Sequence, residues 1–211
     1  MDNIRDLAPT LRRLRLSYCR GWTVATFIPV LGRLTHVELS GYWNSNVNNP
    51  PFETILVHGI SIESLRVSGS LVSRHSAHFR SYPLALPRLR EFGFDVNIFH
   101  CIDDDLFPAI IDFLEGRPDL EFLELLPTPP DSSIQVGFDK RAWDLMAFMP
   151  KLRGLSITIP REMSLTICAP LIPRKVRWLK LATCASSTRS FELAVRSFSP
   201  KPMTLIDLCF P

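Results

Sequence analysis

The sequence predicts an α/β solenoid, in which short strands pair in parallel along a concave sheet and irregular helices lie on the convex side. Three observations predict it. One phrase of three apolar residues, spaced x-L-x-x-L-x-L, recurs eight times along the 211 residues. The last two apolar positions of each copy alternate with polar ones, as in a strand with one buried face. Helically spaced stretches separate the copies, and proline closely precedes several of them (LAPTL, ALPRL, RPDL, MPKL, IPRKV), ending a helix and fixing an extended entry. A doubly wound sheet also alternates strand and helix, but it needs no common phrase at every strand.

In chain order the copies are Leu11/Leu14/Leu16, Leu34/Val37/Leu39, Ile62/Leu65/Val67, Leu89/Phe92/Phe94, Leu120/Leu123/Leu125, Leu152/Leu155/Ile157, Val176/Leu179/Leu181 and Met203/Ile206/Leu208. Their first positions are 23, 28, 27, 31, 32, 24 and 27 residues apart, so curvature is expected to be irregular, with the long intervals bulging outward. The first apolar residue of each copy is placed at the turn into its strand. Helical spacing is clearest at Asp103–Glu115, Asp139–Phe148 and Thr188–Phe198, each opening on acidic or hydroxyl residues suited to a helix start. Residues 1–211 read as a single domain of about eight repeats, and 46% hydrophobic content suffices for one continuous core.

With phrases such as LPRLREF and RPDLEFLEL, nearly the whole chain resembles leucine-rich repeats of the ribonuclease-inhibitor-like kind, particularly the divergent, proline-punctuated repeats of fungal F-box proteins. The resemblance implies a horseshoe that recruits a protein substrate to a ubiquitin ligase. It also implies Asn or Cys three positions after the last apolar strand residue, where the side chain satisfies backbone N–H groups of a tight turn. That position holds Cys19, Asn97 and Cys184, with Ser70 and Thr128 as substitutes, whereas Tyr42 and Pro160 depart from it. In that family a separate amino-terminal helix bundle, the F-box, engages the ligase scaffold. No segment here matches it, so the scaffold is an expected partner only where an F-box lies upstream. The chain also stops at Leu208-Cys209-Phe210-Pro211 as a strand completes, which reads as a fragment lacking terminal caps.

Formal net charge is +3, distributed as about +4 over residues 1–100, −8 over 101–150 and +7 over 151–211. That banding argues against a general nucleic-acid binder, which presents one continuous basic face, and for a protein partner of mixed charge. No apolar run reaches the roughly 18 residues of a membrane span and no signal peptide opens the chain, so an intracellular protein without a membrane partner is expected. The five cysteines (Cys19, Cys101, Cys168, Cys184, Cys209) form no C-x-x-C pair and are expected to be thiols.

No constellation for catalysis, metal or cofactor emerges, and a non-catalytic protein is expected. Asp103, Asp104 and Asp105 read as a helix cap rather than a cation loop, since no spaced Gly or Glu completes one. His75 and His78, with Arg74 and Arg80 beside them, read as a solvated loop. Neither G-x-S-x-G nor a phosphate-binding loop occurs.

A binding face follows from strand alternation, because residues flanking the inward apolar positions point away from the core. The candidates on the concave face are Arg13, Arg15, His36, Glu38, Arg66, Glu91, Asp95, Phe122, Glu124, Trp178 and Lys180, alongside Ser17, Ser40, Ser64, Ser68, Gly93, Leu126, Gly154, Ser156, Thr158 and Ala182. Phe122 and Trp178 stand out as large rings expected on a solvent-facing sheet, where aromatic side chains often anchor partners.

Overall fold

The computed structural model describes residues 10–17, 28–43, 51–71, 75–98, 102–128, 136–160 and 162–183. Seven strands lie side by side in chain order: β1 (Arg13–Ser17), β2 (His36–Trp43), β3 (Ser64–Leu71), β4 (Glu91–Ile98), β5 (Phe122–Thr128), β6 (Gly154–Ile159) and β7 (Trp178–Thr183). Every neighbouring pair is parallel. The helices are α1 (Ile28–Leu31), α2 (Pro51–His58), α3 (Ser76–Ser81), α4 (Leu106–Glu115), α5 (Arg141–Asp144) and α6 (Leu165–Cys168), the last two running on into single 3-10 turns. The chain is thus α/β around one all-parallel sheet. Each of the first seven phrases supplies a strand, and the phrases align in register: Leu14, Val37, Leu65, Phe92, Leu123, Leu155 and Leu179 form one row across the sheet.

Two backbone devices explain why the phrase has its spacing. At six of the phrases the N–H of the first apolar residue closes a turn onto the carbonyl three residues back, from Leu34 to Leu31, Ile62 to Gly59, Leu89 to Leu86, Leu120 to Arg117, Leu152 to Met149 and Val176 to Pro173, at 3.0–3.3 Å. The residue that follows brings its own carbonyl to the seam between repeats, where it accepts two N–H groups from the next repeat. Arg90 O takes Glu121 N and Phe122 N at 2.7 and 3.1 Å, and Arg153 O takes Arg177 N and Trp178 N at the same distances. The same double acceptance recurs at Arg12, Thr35, Glu63 and Glu121. Buried backbone polar groups must be paired, and this seam pairs them identically at six junctions whatever the length of the intervening limb.

The inward row packs against the helices in one continuous core. Its centre is aromatic: Phe79 of α3 meets Phe52, Phe113 and Phe94 at centroid distances of 5.1, 5.2 and 5.8 Å, and Phe94 meets Phe107 edge-on. Trp143 of α5 is fully buried and donates its indole N–H to Thr158 O at 2.9 Å, so its polar handle is satisfied within the core.

Helix limits differ from those expected. The stretch from Asp103 folds as helix only from Leu106, and the aspartates do not cap it through their side chains. Its first-turn N–H groups are already paired by backbone: Leu106 N with Asp103 O, Phe107 N with Val136 O and Ala109 N with Asp105 O, while Pro108 carries no N–H. The Asp103 carboxylate is therefore available to accept Ser76 N at 3.0 Å and caps α3 of the preceding repeat. The stretch 139–148 is helical from Arg141, in an α turn followed by a 3-10 turn. His75 and His78 are not in a solvated loop: His75 is buried against Phe52 and His78 lies within α3.

The turn expected three residues after the strand core is also absent where it can be seen, because β2, β3, β4 and β5 continue through Tyr42, Ser70, Asn97 and Thr128. In β2 and β3 the ladder passes through the paired glycines Gly41 and Gly69, with φ of 120° and 121°. A side chain on Gly69 would strike the Gly41 backbone. Pro160, which lacks an N–H, directly follows β6. The eighth phrase, the helix expected at 188–198, and Cys19, Cys101, Cys184 and Cys209 lie outside the described residues.

Candidate functional site: the open face of the sheet

The face opposite the core carries three rows of side chains fixed by the parallel register. The first row runs Arg13, His36, Ser64, Glu91, Phe122, Gly154 and Trp178, and the second Arg15, Glu38, Arg66, Gly93, Glu124, Ser156 and Lys180. In the third, Ser17, Ser40, Ser68, Asp95 and Leu126 are paired in succession and Thr158 pairs with Ala182, while the pairing of β5 with β6 stops one residue earlier. All eleven candidate residues therefore share one face.

Many of them are already engaged with each other. Arg15 pairs with Glu38 at 3.3 Å, Ser64 Oγ donates to Glu91 at 2.8 Å, and the Ser17 and Ser40 hydroxyls meet at 2.8 Å. His36 Nδ1 lies 2.9 Å from the Thr35 hydroxyl. The Ser17–Ser40 and Arg15–Glu38 contacts are exposed and the other two partly buried, and an exposed ion pair such as Arg15–Glu38 contributes only about 0–1 kcal/mol.

Two glycines shape the middle of the face. Gly93 sits between Arg66 and Glu124, and a Cβ there would come within 3.0 Å of the Arg66 chain and 3.3 Å of the Glu124 carboxylate. Without it, the two side chains reach across β4 and approach to 4.0 Å. Gly154 does the same between Phe122 and Trp178, whose rings meet over β6 with centroids 5.2 Å apart and planes tilted by 34°. The Arg66 guanidinium also lies over the Phe122 ring, 5.2 Å from its centroid. Arg66, Phe122 and Trp178 thus form one cation-aromatic-aromatic run spanning β3 to β7, with Glu124 beside it.

This arrangement corrects the expectation of free rings on a solvated sheet. Phe122 and Trp178 are half-buried because each covers the other. Leu126, Ser64, Gly154, Ser156 and Thr158, expected to be open, are buried as well. The Ser156 hydroxyl, between Glu124 and Lys180 in register, makes no hydrogen bond among the described residues. Gly93 is buried too, and the remaining candidates are half-buried or exposed.

No family model matches this chain, and no curated protein does. Among the described residues, no three His, Cys, Asp or Glu side chains are grouped to hold a metal ion, and no helix is long and apolar enough to cross a membrane. Cys168 is a buried free thiol whose pKa burial pushes up, away from the reactive thiolate. Arg117 is buried against the Phe113 ring at 3.8 Å and donates to Pro83 O and Ala85 O. Burial pulls its pKa down to about 10, which leaves it charged at neutral pH and tying the α3–β4 connection to the end of α4.

Sequence reasoning placed Gly93 and Gly154 on this face but missed what they do there, although the signal was present: a glycine in an outward strand position, flanked in register by long side chains, marks a place where neighbours close over the backbone.

Proposed function

We propose that the chain is a non-catalytic protein-interaction module, a leucine-rich-repeat horseshoe whose open sheet is the concave, partner-binding face. The recurrence of one turn and one double-acceptor seam at six junctions carries this reading, because it makes the fold a stack of equivalent units that displays successive side chains on a single face. The Arg66–Phe122–Trp178 run is the anchor of that face. Aromatic and arginine side chains dominate binding energies at interfaces, and here they are held in place before a partner arrives.

The test is affinity capture with the full gene product, followed by titration of the captured protein against Phe122→Ala and Trp178→Ala. Each variant should weaken binding by about 2 kcal/mol, some thirtyfold. Unchanged affinity in both would remove the open face from the proposal.

The narrower proposal is that these are the substrate-recognition repeats of an F-box-type ubiquitin ligase receptor, supported by the resemblance of the repeat phrases. An upstream reading frame encoding an F-box bundle would favour it. A structural or inhibitory repeat protein with no ubiquitin link is the second reading, favoured by the internal pairing of Arg15 with Glu38 and of Arg66 with Glu124, which leaves part of the face self-satisfied.

A further inference from the structure

The residues on either side of each first apolar position line the edge where the chain enters the sheet, and their charges follow a pattern between repeats. Asp119 and Glu121, entering β5, are matched by cations on both neighbours: Glu121 pairs with Arg90 at 3.4 Å and with Arg153 at 3.9 Å, and Asp119 pairs with Lys151 at 2.5 Å. The pattern then breaks. Lys175 and Arg177, entering β7, stand beside Lys151 and Arg153 rather than beside acids, and Arg174 adds a third cation.

Arg174, Lys175 and Arg177 are exposed, and none forms an ion pair with a described residue. From residue 145 to residue 183 the sequence holds seven Lys and Arg against the single carboxylate of Glu162. Strands pair at about 4.8 Å, so five of these cations, Lys151, Arg153, Arg174, Lys175 and Arg177, gather within roughly 10 Å of edge, where Asp119 and Glu121 answer only the first two; the excess positive charge is unfavourable in the free chain and relieved by anionic company.

We propose that the strand-entry edge of β6 and β7 docks an acidic segment of a protein partner. The acidic boundary of the patch at the entry to β5 selects a protein segment over nucleic acid. A phosphate backbone carries charge at uniform spacing and continues, and one step beyond β6 it would run onto Asp119 and Glu121. A segment with a few carboxylates ends before them. The edge is a surface separate from the open face, and the inference rests on the interaction-module reading only in that the ligand is a protein.

The experiment titrates the full chain with a fluorescein-labelled acidic octapeptide of alternating Glu and Gly, with its Gln counterpart and with a short oligothymidine, following anisotropy across a salt series. The Glu peptide should bind, the Gln peptide should not, and affinity should fall as salt rises. Lys175→Glu with Arg177→Glu should weaken Glu-peptide binding by about tenfold or more, while raising the melting temperature, because reversed charges would now face Lys151 and Arg153. Lys175→Gln with Arg177→Gln guards against misfolding of the reversed pair and should also weaken binding. Phe122→Ala should leave peptide binding unchanged, so a failed open face and a failed edge give different results. Equal binding by the wild type and the Gln pair, or tighter binding of oligothymidine than of the Glu peptide, overturns the proposal.

Discussion

The Phe122 ring lies across Gly154 and meets the ring of Trp178 two strands away. Backbones two strands apart are separated by about 10 Å, so the contact exists only because the intervening residue has no side chain. Gly154→Ala should displace the Phe122 ring and cost about 1 kcal/mol, the usual worth of an aromatic pair. In a Phe122→Ala background the same change should cost much less. A double-mutant cycle from denaturant melts measures the difference, and additive effects would mean that the ring pair contributes nothing.

Leu123 and Leu179 occupy the same inward row, but Leu123 is fully buried in the middle of the sheet and Leu179 only partly covered near its end. Leu123→Ala should cost about 2–5 kcal/mol through the cavity it leaves. Leu179→Ala should cost distinctly less. Equal losses in urea melts would contradict the difference in packing.

Asp103 accepts Ser76 N across the gap between repeats, in buried surroundings. Asp103→Ala should destabilise by about 1–2 kcal/mol, whereas exposed Asp104→Ala should be near neutral. Hydrogen exchange at the start of α3 locates the effect: protection there should drop for the first variant alone.

Burial, reinforced by the nearby charge of His78, pulls the His75 pKa down from 6.5 to about 4. Between those two values the unfolded chain takes up a proton that the folded chain refuses. Stability should therefore fall as pH drops from about 6.5 to about 4 and level off below, by a total of about 3 kcal/mol. Asp105 is held below its usual pKa by the hydrogen bonds from Arg80, and its contribution is lost only as pH falls through the carboxylate range and lower. Melting His75→Gln across pH should flatten the upper part of this profile and leave the lower part intact.

The repeat was legible because its signal is local: three apolar residues at fixed spacing locate strand, turn and register together, and Leu34, Leu89 and Leu152 each sit where that spacing places them. Membership of the open face was legible for the same reason, since alternation alone assigns Arg66, Glu124 or Trp178 to a side. Exposure was not legible. Whether Trp178 is free depends on Gly154 and Phe122, on strands that alternation within β7 says nothing about. The Asp103 carboxylate was misread because its partner is the N–H of Ser76, 27 residues earlier, while its own helix is already satisfied by Val136 O and Pro108. In a stack, side chains answer to the neighbouring repeat as often as to their own.

The seam also acts as a ruler for heredity. An added or lost residue between a turn and its strand would leave a carbonyl facing the wrong pair of donors and would upset the junctions on either side of that strand. The same change in a helical limb touches no seam bond at all. Length variation is thereby steered to the limbs between strands, where intervals of 23 to 32 residues coexist with an unvarying junction. A lineage carrying this fold can lengthen, trim or redecorate one side of the molecule while the side chains on the other keep their places.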